Sequence, residues 1–178
     1  MLFMGEEWAA STPFLFFCDF GGDLAEAVSK GRREEFARFP EFRDPATRDR
    51  IPDPQAKGTF QAAKLKWDEI EAEPHRSALD WYKRILDARR EMVTPLIPTI
   101  GGHAGSFDII GENAVTVRWR TSEDTTLVLD SNLKDREQDG FANHDGRAIW
   151  LEGQAVDGAL GPWTVRWTIM ENRRGALL

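Results

Sequence analysis

The stretch AVTVRWRT, residues 114–121, alternates apolar and polar side chains from Val115 to Arg120. Successive side chains of a strand point to opposite faces, so Val115, Val117 and Trp119 share one face and Thr116, Arg118 and Arg120 the other. The segments that follow have the same character, and they are TTLVLDS (125–131), GRAIWLE (146–152) and PWTVRWTI (162–169). Asp- and Gly-containing turns separate them. The pattern predicts an antiparallel sheet with one apolar face and one face in solvent.

Upstream of this sheet the apolar spacing is helical. Between Ser77 and Val93 apolar residues recur at spacings of three and four, and they are Ala78, Trp81, Ile85, Ala88 and Met92. Ser77 with Asp80 forms a capping pattern, and Pro95 ends the helix. The change of period near residues 95–103 predicts two units, residues 1–97 and residues 98–178.

Composition excludes several classes of protein. The chain has 178 residues and a formal net charge of -7, which argues against a nucleic-acid interface or binding to an anionic membrane. Cys18 is the single cysteine, so no intrachain disulfide can form. Glu6 and Glu7 interrupt the apolar start, and no basic residue precedes it, so a signal peptide is not indicated. We expect a soluble, cytoplasmic protein with neither metal nor organic cofactor.

The amino-terminal residues raise the first hypothesis about a site. Leu2–Gly5 reads as a short buried strand, and Glu6, Glu7 and Trp8 follow it directly. Active sites of α/β barrels are built at the carboxyl ends of the strands, and carboxylates beside an indole suit sugar binding. The alternative interpretation is a solvated turn with one packed tryptophan.

Two further motifs have a structural and a functional interpretation. The charged run that contains Arg32, Arg33 and Glu34 is either a ligand clamp or a charged helix face. The FANHDGR segment, residues 141–147, offers His144 and Asp145 as an acid/base pair, but Asp-Gly before an apolar strand is typical of a hairpin turn. The pattern favours the charged face and the turn.

Five segments, taken in order, resemble one family. They are LFMGEEW (2–8), TPFLFF (12–17), GRREEF (31–36), IPDPQ (51–55) and KLKW (64–67). The ordered set resembles the carboxyl-terminal part of the malto-oligosyltrehalose trehalohydrolases, which belong to the α-amylase family of glycoside hydrolases. The resemblance covers essentially the whole chain, although Cys18-Asp19-Phe20 departs from the Thr-Asp-His of many relatives.

The resemblance implies a fold. The family has a catalytic (β/α)8 barrel followed by an antiparallel β-sandwich. Residues 1–97 would then be the carboxyl-terminal remnant of the barrel, with Leu2–Gly5 as its last strand and Ser77–Val93 as its last helix. Residues 98–178 would be the sandwich, and the chain as a whole an α+β fragment. On this template Met1 would lie in the middle of a longer protein.

The resemblance also implies a function. The family cleaves the α-1,4 bond next to the trehalose end of malto-oligosyltrehalose by a retaining mechanism. Its catalytic carboxylates lie on earlier strands and loops, so this chain would contain none of them and would be inactive alone. Asn143-His144-Asp145 mimics a family motif but lies in the sandwich. The residues expected to shape the substrate cleft are Glu7, Trp8, Arg32, Arg33 and Glu34.

The implied partners are a malto-oligosaccharide or malto-oligosyltrehalose and the missing barrel portion. A competing hypothesis is a stand-alone, non-catalytic module that binds glucan or docks to a protein. An unpaired strand edge at residues 2–5 and the neighbouring phenylalanines would then favour self-association. A small independent enzyme that uses His144 and Asp145 ranks below both.

Overall fold

The computed structural model describes residues 1–42, 44, 47, 50–122 and 124–171. The chain forms two compact units, Met1–Tyr82 and Lys83–Leu178. The domain boundary predicted between residues 97 and 98 remains a prediction. Among the described residues, no helix is both long enough and apolar enough to cross a bilayer.

The first unit is helical. Helix α1 is Gly22–Phe36, α2 is Lys57–Ala62, and α3 is His75–Ala88, which crosses the boundary between the units. A short 3-10 turn lies before α1, at Glu6–Trp8, and two more lie between the helices, at Pro40–Phe42 and Trp67–Glu71. Part of the Pro-rich loop predicted between residues 40 and 54 lies outside the described residues.

The predicted strand at Leu2–Gly5 is wrong. Leu2, Phe3 and Met4 are 48%, 52% and 50% exposed and adopt no regular structure. A strand needs a neighbour for its hydrogen-bond ladder, and the described part of the first unit contains no strand to provide one. The edge through which self-association was predicted is therefore not formed. Three exposed apolar side chains lie there instead.

The predicted helix at Ser77–Val93 also has different bounds. It begins earlier, at His75, and the Ser77 hydroxyl donates a 2.6 Å hydrogen bond to Oε2 of Glu73 near its start. It ends at Ala88, where a π-helical turn at Arg89–Val93 and a 3-10 turn at Thr94–Thr99 follow. Pro95 lacks the N–H that a continuing α-helix requires, so the regular winding cannot extend through it.

The second unit contains the sheets. Its strands are β1 Ile100–Gly111, β2 Ala114–Thr121, β3 Thr125–Asn132, β4 Gln138–Asp139, β5 Arg147–Glu152, β6 Ala155–Val156, β7 Ala159–Leu160 and β8 Thr164–Glu171. The larger sheet has the order β1-β2-β3-β8-β5, and a smaller one has the order β4-β7-β6. All pairs are antiparallel, as the alternating segments predicted.

One face of the larger sheet differs from the prediction. Thr116 pairs with Asp130, and Asp130 pairs with Arg166, so the three share the face that was predicted to be in solvent. Thr116 is 1% exposed and Asp130 is fully buried. The face is covered because Phe141 and Leu160 pack against Ala114 and form the core there. The same face is exposed at Arg120 and on β1, at Ser106 and Asp108.

The opposite face carries the predicted apolar residues. The rings of Trp119 and Trp167 stack with centroids 5.7 Å apart and planes 10° from parallel. A cavity of about 250 Å³ lies between this face and the chain after Lys83, lined by Ile85, Val93 and Trp150 among others. Both faces of the larger sheet are therefore partly covered, which is typical of a layered β-domain.

Candidate functional site

The turn after Met4 depends on a glycine. Gly5 has a φ of 83°, in the left-handed region that other residues rarely adopt. A Cβ atom there would lie 2.8 Å from Ala10 Cβ and 2.8 Å from a Leu65 methyl group, so the close approach also requires glycine. The Ala10 N–H donates a 2.8 Å hydrogen bond to the Gly5 carbonyl and closes the turn that carries Glu6, Glu7 and Trp8.

Glu6 is the carboxylate that the structure holds in place. Its Oε1 accepts a 2.5 Å hydrogen bond from the Tyr82 hydroxyl, and its Oε2 accepts a 2.9 Å bond from the Phe3 N–H. Both bonds lower the pKa of Glu6, and the bond from Tyr82 lowers it more than the bond from Phe3 does. The same bond raises the pKa of Tyr82 to about 12. Glu7, the predicted cleft residue, lies beside them and is half-buried.

Trp8 is buried rather than open to a ligand. Its side chain is 3% exposed, and its ring centroid lies 5.0 Å from that of Trp67, at an interplanar angle of 43°. The Trp8 indole N–H has no hydrogen-bond partner among the described residues. Trp67 is 66% exposed, so it is the ring of this pair with a surface available for stacking. The sequence analysis did not single it out, although KLKW contains it.

His75 and Glu69 contact the end of the same turn and the residues that follow it. The His75 Nδ1 lies 3.0 Å from the Trp8 carbonyl oxygen, and since a carbonyl can only accept, Nδ1 carries the proton. Its Nε2 lies 3.9 Å from Glu69 Oε2. Glu69 accepts hydrogen bonds from the backbone N–H and the hydroxyl of Ser11, at 2.8 Å and 2.7 Å. The two Ser11 bonds lower the pKa of Glu69.

The predicted charged residues of GRREEF lie on α1 and make other contacts. The Arg32 guanidinium lies 4.7 Å from the centroid of Phe16 and 4.8 Å from that of Phe36. Glu34 is exposed and lies 3.8 Å from Lys30, one helical turn away. Arg33 is also exposed. The contacts described for Arg32 and Glu34 involve other residues than those of Trp8. Among the described contacts, none joins the predicted site residues on α1 to the turn that carries Glu7 and Trp8.

The IPDPQ segment fixes the chain around Cys18. The Cys18 N–H donates a 2.9 Å hydrogen bond to the Pro54 carbonyl, and the Gln55 amide donates a 3.1 Å bond to Cys18 Sγ. Asp53 accepts a 2.9 Å bond from the Ser29 hydroxyl of α1. A backbone bond from Gln55 and then the Ser29 bond lower the pKa of Asp53. Sequence spacing alone could not show these contacts, since their partners are distant along the chain.

The Asn143-His144-Asp145 motif belongs to the second unit. The His144 Nε2 lies 2.8 Å from Oδ2 of the buried Asp130, and Arg166 donates a 2.8 Å bond to the same oxygen. His144 is thus engaged in a buried ion-pair network rather than facing an open cleft. Asp145 and Gly146 form a bend before β5, but β5 pairs with β8 and not with the preceding strand β4, so the predicted hairpin turn is not formed. Within the described ranges, no group of three or more metal-binding side chains occurs.

Comparison with known proteins defines the class. No family model matches the chain. Its structure matches that of a protein from Salmonella typhimurium assigned as an alpha amylase, with a TM-score of 0.80 and 30% sequence identity, over 94% of this chain and 27% of that one. The fold therefore belongs with the alpha-amylase-like proteins.

Sequence comparison then gives the particular family. The chain is 39% identical over 143 residues to the malto-oligosyltrehalose trehalohydrolase of Deinococcus radiodurans, covering 75% of this chain and 23% of that protein. It is 38% identical over 168 residues to the enzyme of the same name from Brevibacterium helvolum, covering 92% and 27% respectively. The chain is a relative of the malto-oligosyltrehalose trehalohydrolases that spans about a quarter of their length, and the resemblance inferred from the sequence is confirmed.

Proposed function

We propose that the chain is the carboxyl-terminal portion of a glycoside hydrolase that cleaves the α-1,4-glucosidic bond next to the trehalose end of malto-oligosyltrehalose and releases trehalose. The observation that carries this proposal is the 38% identity over 168 residues to a trehalohydrolase. Residues 1–97 would represent the end of its catalytic barrel, and residues 98–178 its sandwich domain. Its substrate would be a malto-oligosyltrehalose or a related malto-oligosaccharide.

We further propose that the chain alone is inactive. Retaining hydrolysis needs a nucleophilic carboxylate and a second carboxyl group that donates a proton, which requires a raised pKa. Glu6 and Glu69, the two hydrogen-bonded carboxylates around the GEEW turn, have lowered pKa values instead. They are therefore ionised at neutral pH and are poor proton donors. Their hydrogen bonds suit them to hold the turn in place.

In this proposal Glu7, Trp8, Arg32, Arg33 and Glu34 border the substrate cleft. Trp8 acts indirectly, because its buried ring supports the exposed ring of Trp67. An exposed indole offers a flat apolar face on which the C–H face of a glucose unit can stack. We therefore add Trp67 to the residues that contact substrate.

A chimera tests this function. The aligned region of the Deinococcus radiodurans enzyme is replaced by this chain, and trehalose release from maltotriosyltrehalose is measured. We expect release by the chimera and none by the isolated chain. A folded chimera without activity would contradict the assignment, and trehalose release by the isolated chain would contradict its inactivity.

Two tryptophan variants of the chimera test the site. Trp67→Ala should lower kcat/KM by roughly 5- to 30-fold, the effect of losing about 1–2 kcal/mol of stacking. Trp163→Ala provides the matched control, because Trp163 is similarly exposed, at 61%, but lies in the second unit. Equal effects of the two variants would exclude a specific role for Trp67.

A second candidate is a stand-alone, non-catalytic module that binds glucan or docks to a protein. Exposed apolar side chains favour it, including Phe3, Phe14 and Trp67, which are 52%, 53% and 66% exposed. Titration calorimetry of the isolated chain with maltoheptaose would detect glucan binding, and Trp67→Ala should abolish it. Sedimentation analysis of the same sample would detect self-association. A monomer without heat of binding would leave the hydrolase fragment as the better interpretation.

A further inference from the structure

A polar groove opens on the larger sheet of the second unit. Its volume is about 530 Å³, and it lies where β1 begins and where β2 ends. Its polar lining includes His103, Ser106, Arg118, Arg120, Ser122 and Thr126. No part of it belongs to the turn and helix discussed above as the sugar site.

The charge of the groove is positive, although the chain carries a net charge of -7. None of the described residues that line it is acidic. Arg118 is neutralised by an ion pair with Asp108. The Arg120 side chain is exposed and has no ion-pair or hydrogen-bond partner within the described part of the chain. As far as the described residues are concerned, the N–H donors of the Arg120 guanidinium are therefore available to a ligand.

The backbone at the groove is irregular. Ile100 of β1 pairs with Thr121 of β2, and the next pair is Gly105 with Trp119. Strand β1 therefore has more residues than β2 between these two pairs, and the extra residues form a bulge. His103 lies in this bulge with a φ of 59°, in the left-handed region. Bulges redirect side chains and are enriched near functional sites, and strained non-glycine residues mark such sites as well. Both observations fall at the same residue.

The end of the groove is closed by a backbone contact. The Ser122 N–H donates a 2.9 Å hydrogen bond to the Thr99 carbonyl and joins the chain after β2 to the chain before β1. The Ser122 and Ser106 hydroxyl groups lie in the lining, on either side of this bulge. The groove thus combines one unpaired guanidinium with an imidazole and hydroxyl donors.

We propose that this groove binds the oxyanion group of a small ligand, namely a phosphate, sulfate or carboxylate. Arg120 supplies the charge and the paired N–H donors, since a guanidinium matches an oxyanion with two parallel hydrogen bonds. His103 and the serine hydroxyls supply further donors. The proposal is independent of the sugar site proposed above, because all of its residues lie in the unit Lys83–Leu178.

Nuclear magnetic resonance of the full chain tests the proposal with inorganic phosphate as the probe. The amide signals of Gly101, Gly102 and Gly105 report on the bulge. We expect them to shift saturably with phosphate but not with potassium chloride at equal ionic strength. Arg120→Gln should weaken phosphate binding roughly tenfold, which corresponds to the loss of a charge-assisted hydrogen bond.

Two further variants make the result decisive. Arg147→Gln is the matched control, because Arg147 is an exposed arginine on β5, outside the groove, and its removal should leave the affinity unchanged. His103→Asn keeps a residue that tolerates a positive φ and should also weaken binding. Absence of a saturable shift in the wild-type chain would overturn the proposal. Equal weakening by Arg120→Gln and Arg147→Gln would overturn it too, because it would show non-specific charge attraction.

The same titration separates two sources of the oxyanion. A hexose phosphate that binds more tightly than inorganic phosphate would assign the site to a phosphorylated sugar. Equal affinities would assign it to the free anion. Either assignment requires that Arg120→Gln weakens the binding of the ligand.

Discussion

The hydroxyl group of Tyr82 donates a 2.5 Å hydrogen bond to Oε1 of Glu6, across 76 positions of sequence. It joins the turn that carries Glu6 and Glu7 to helix α3. The bond stabilises the ionised carboxylate and the protonated phenol together. It therefore lowers the pKa of Glu6 and raises that of Tyr82 from its ordinary value of 10.0 to about 12.

The alkaline titration of Tyr82 is therefore predictable. Its contribution to stability is fully present below about pH 10 and is lost as the pH rises from there through about 12, because the raised pKa belongs to the folded state. Tyr82 is the single tyrosine of the chain, so tyrosinate absorbance near 295 nm reports on it alone. Glu6→Gln should move the midpoint toward 10, whereas Glu7→Gln should move it less. An unchanged midpoint in Glu6→Gln would show that the hydrogen bond is absent.

The hydrogen bonds from Ser11 to Glu69 predict a contribution to stability that is lost at acidic pH. Because the folded-state pKa of Glu69 is lowered, its contribution is present above the ordinary value of 4.5 and is lost as the pH falls through the folded-state value. Ser11→Ala removes the hydroxyl bond but keeps the backbone bond, so the pKa of Glu69 should rise and remain below 4.5. Carbon-detected magnetic resonance of the carboxyl groups measures it.

A matched control is available on α3. The Ser77 hydroxyl donates to Glu73 as that of Ser11 does to Glu69. Ser77→Ala should raise the pKa of Glu73 and leave that of Glu69 unchanged. A shift of both pKa values in either variant would point to a general loss of structure rather than to the individual bonds.

The buried network around Asp130 predicts a large effect on stability. Asp130 is fully buried and accepts hydrogen bonds from Thr116 and Arg166, and it lies 2.8 Å from His144. Asp130→Asn removes the buried negative charge that pairs with Arg166, so the free energy of unfolding should fall by roughly 3 kcal/mol. Urea denaturation followed by tryptophan fluorescence measures the change.

Asp108→Asn is the control for this prediction. Asp108 also pairs with an arginine of the sheet, Arg118, but its side chain is 63% exposed. An exposed ion pair contributes at most about 1 kcal/mol, so this variant should unfold close to wild type. Equal losses in the two variants would contradict the view that burial sets the cost.

Gly153 should tolerate no side chain. Its φ is +90°, and an added Cβ would lie 2.2 Å from the Thr164 hydroxyl oxygen and 2.9 Å from its Cβ. Gly153→Ala should therefore lower the free energy of unfolding by about 2 kcal/mol or more, since it combines backbone strain with overpacking. Gly101→Ala, with no atom within 4 Å of its Cβ position, should be nearly neutral. Thermal unfolding compares the two variants.

The spacing of apolar residues along the chain predicted the helices and strands in which that spacing is regular. The alternation in AVTVRWRT and PWTVRWTI predicted β2 and β8, and the spacing from Ala78 to Ile85 predicted most of α3. These features depend on the direction of each side chain from its own backbone, which sequence spacing specifies. Helix α1 continues through Gly31 to Phe36, because a single glycine costs too little to stop a helix.

The candidate site was predictable only in part. The motif LFMGEEW drew attention to Glu6, Glu7 and Trp8, and the turn is there. That Trp8 is buried while Trp67 is exposed depends on how two distant segments pack, and no spacing encodes it. The roles of Tyr82 and His75 were missed for the same reason, since each contacts the turn from more than sixty positions away.

The sequence by itself determined strands β2, β3, β5 and β8, most of helix α3, the antiparallel pairing and the family, because periodicity and motif order are local properties of the chain. Tertiary structure alone decided which faces are covered. Thr116 and Asp130 are buried because Phe141 and Leu160 pack over their face, and Leu2 to Met4 form no strand because the described first unit offers them no strand to pair with. Burial and strand pairing require a partner, and the partner's position is a property of the fold.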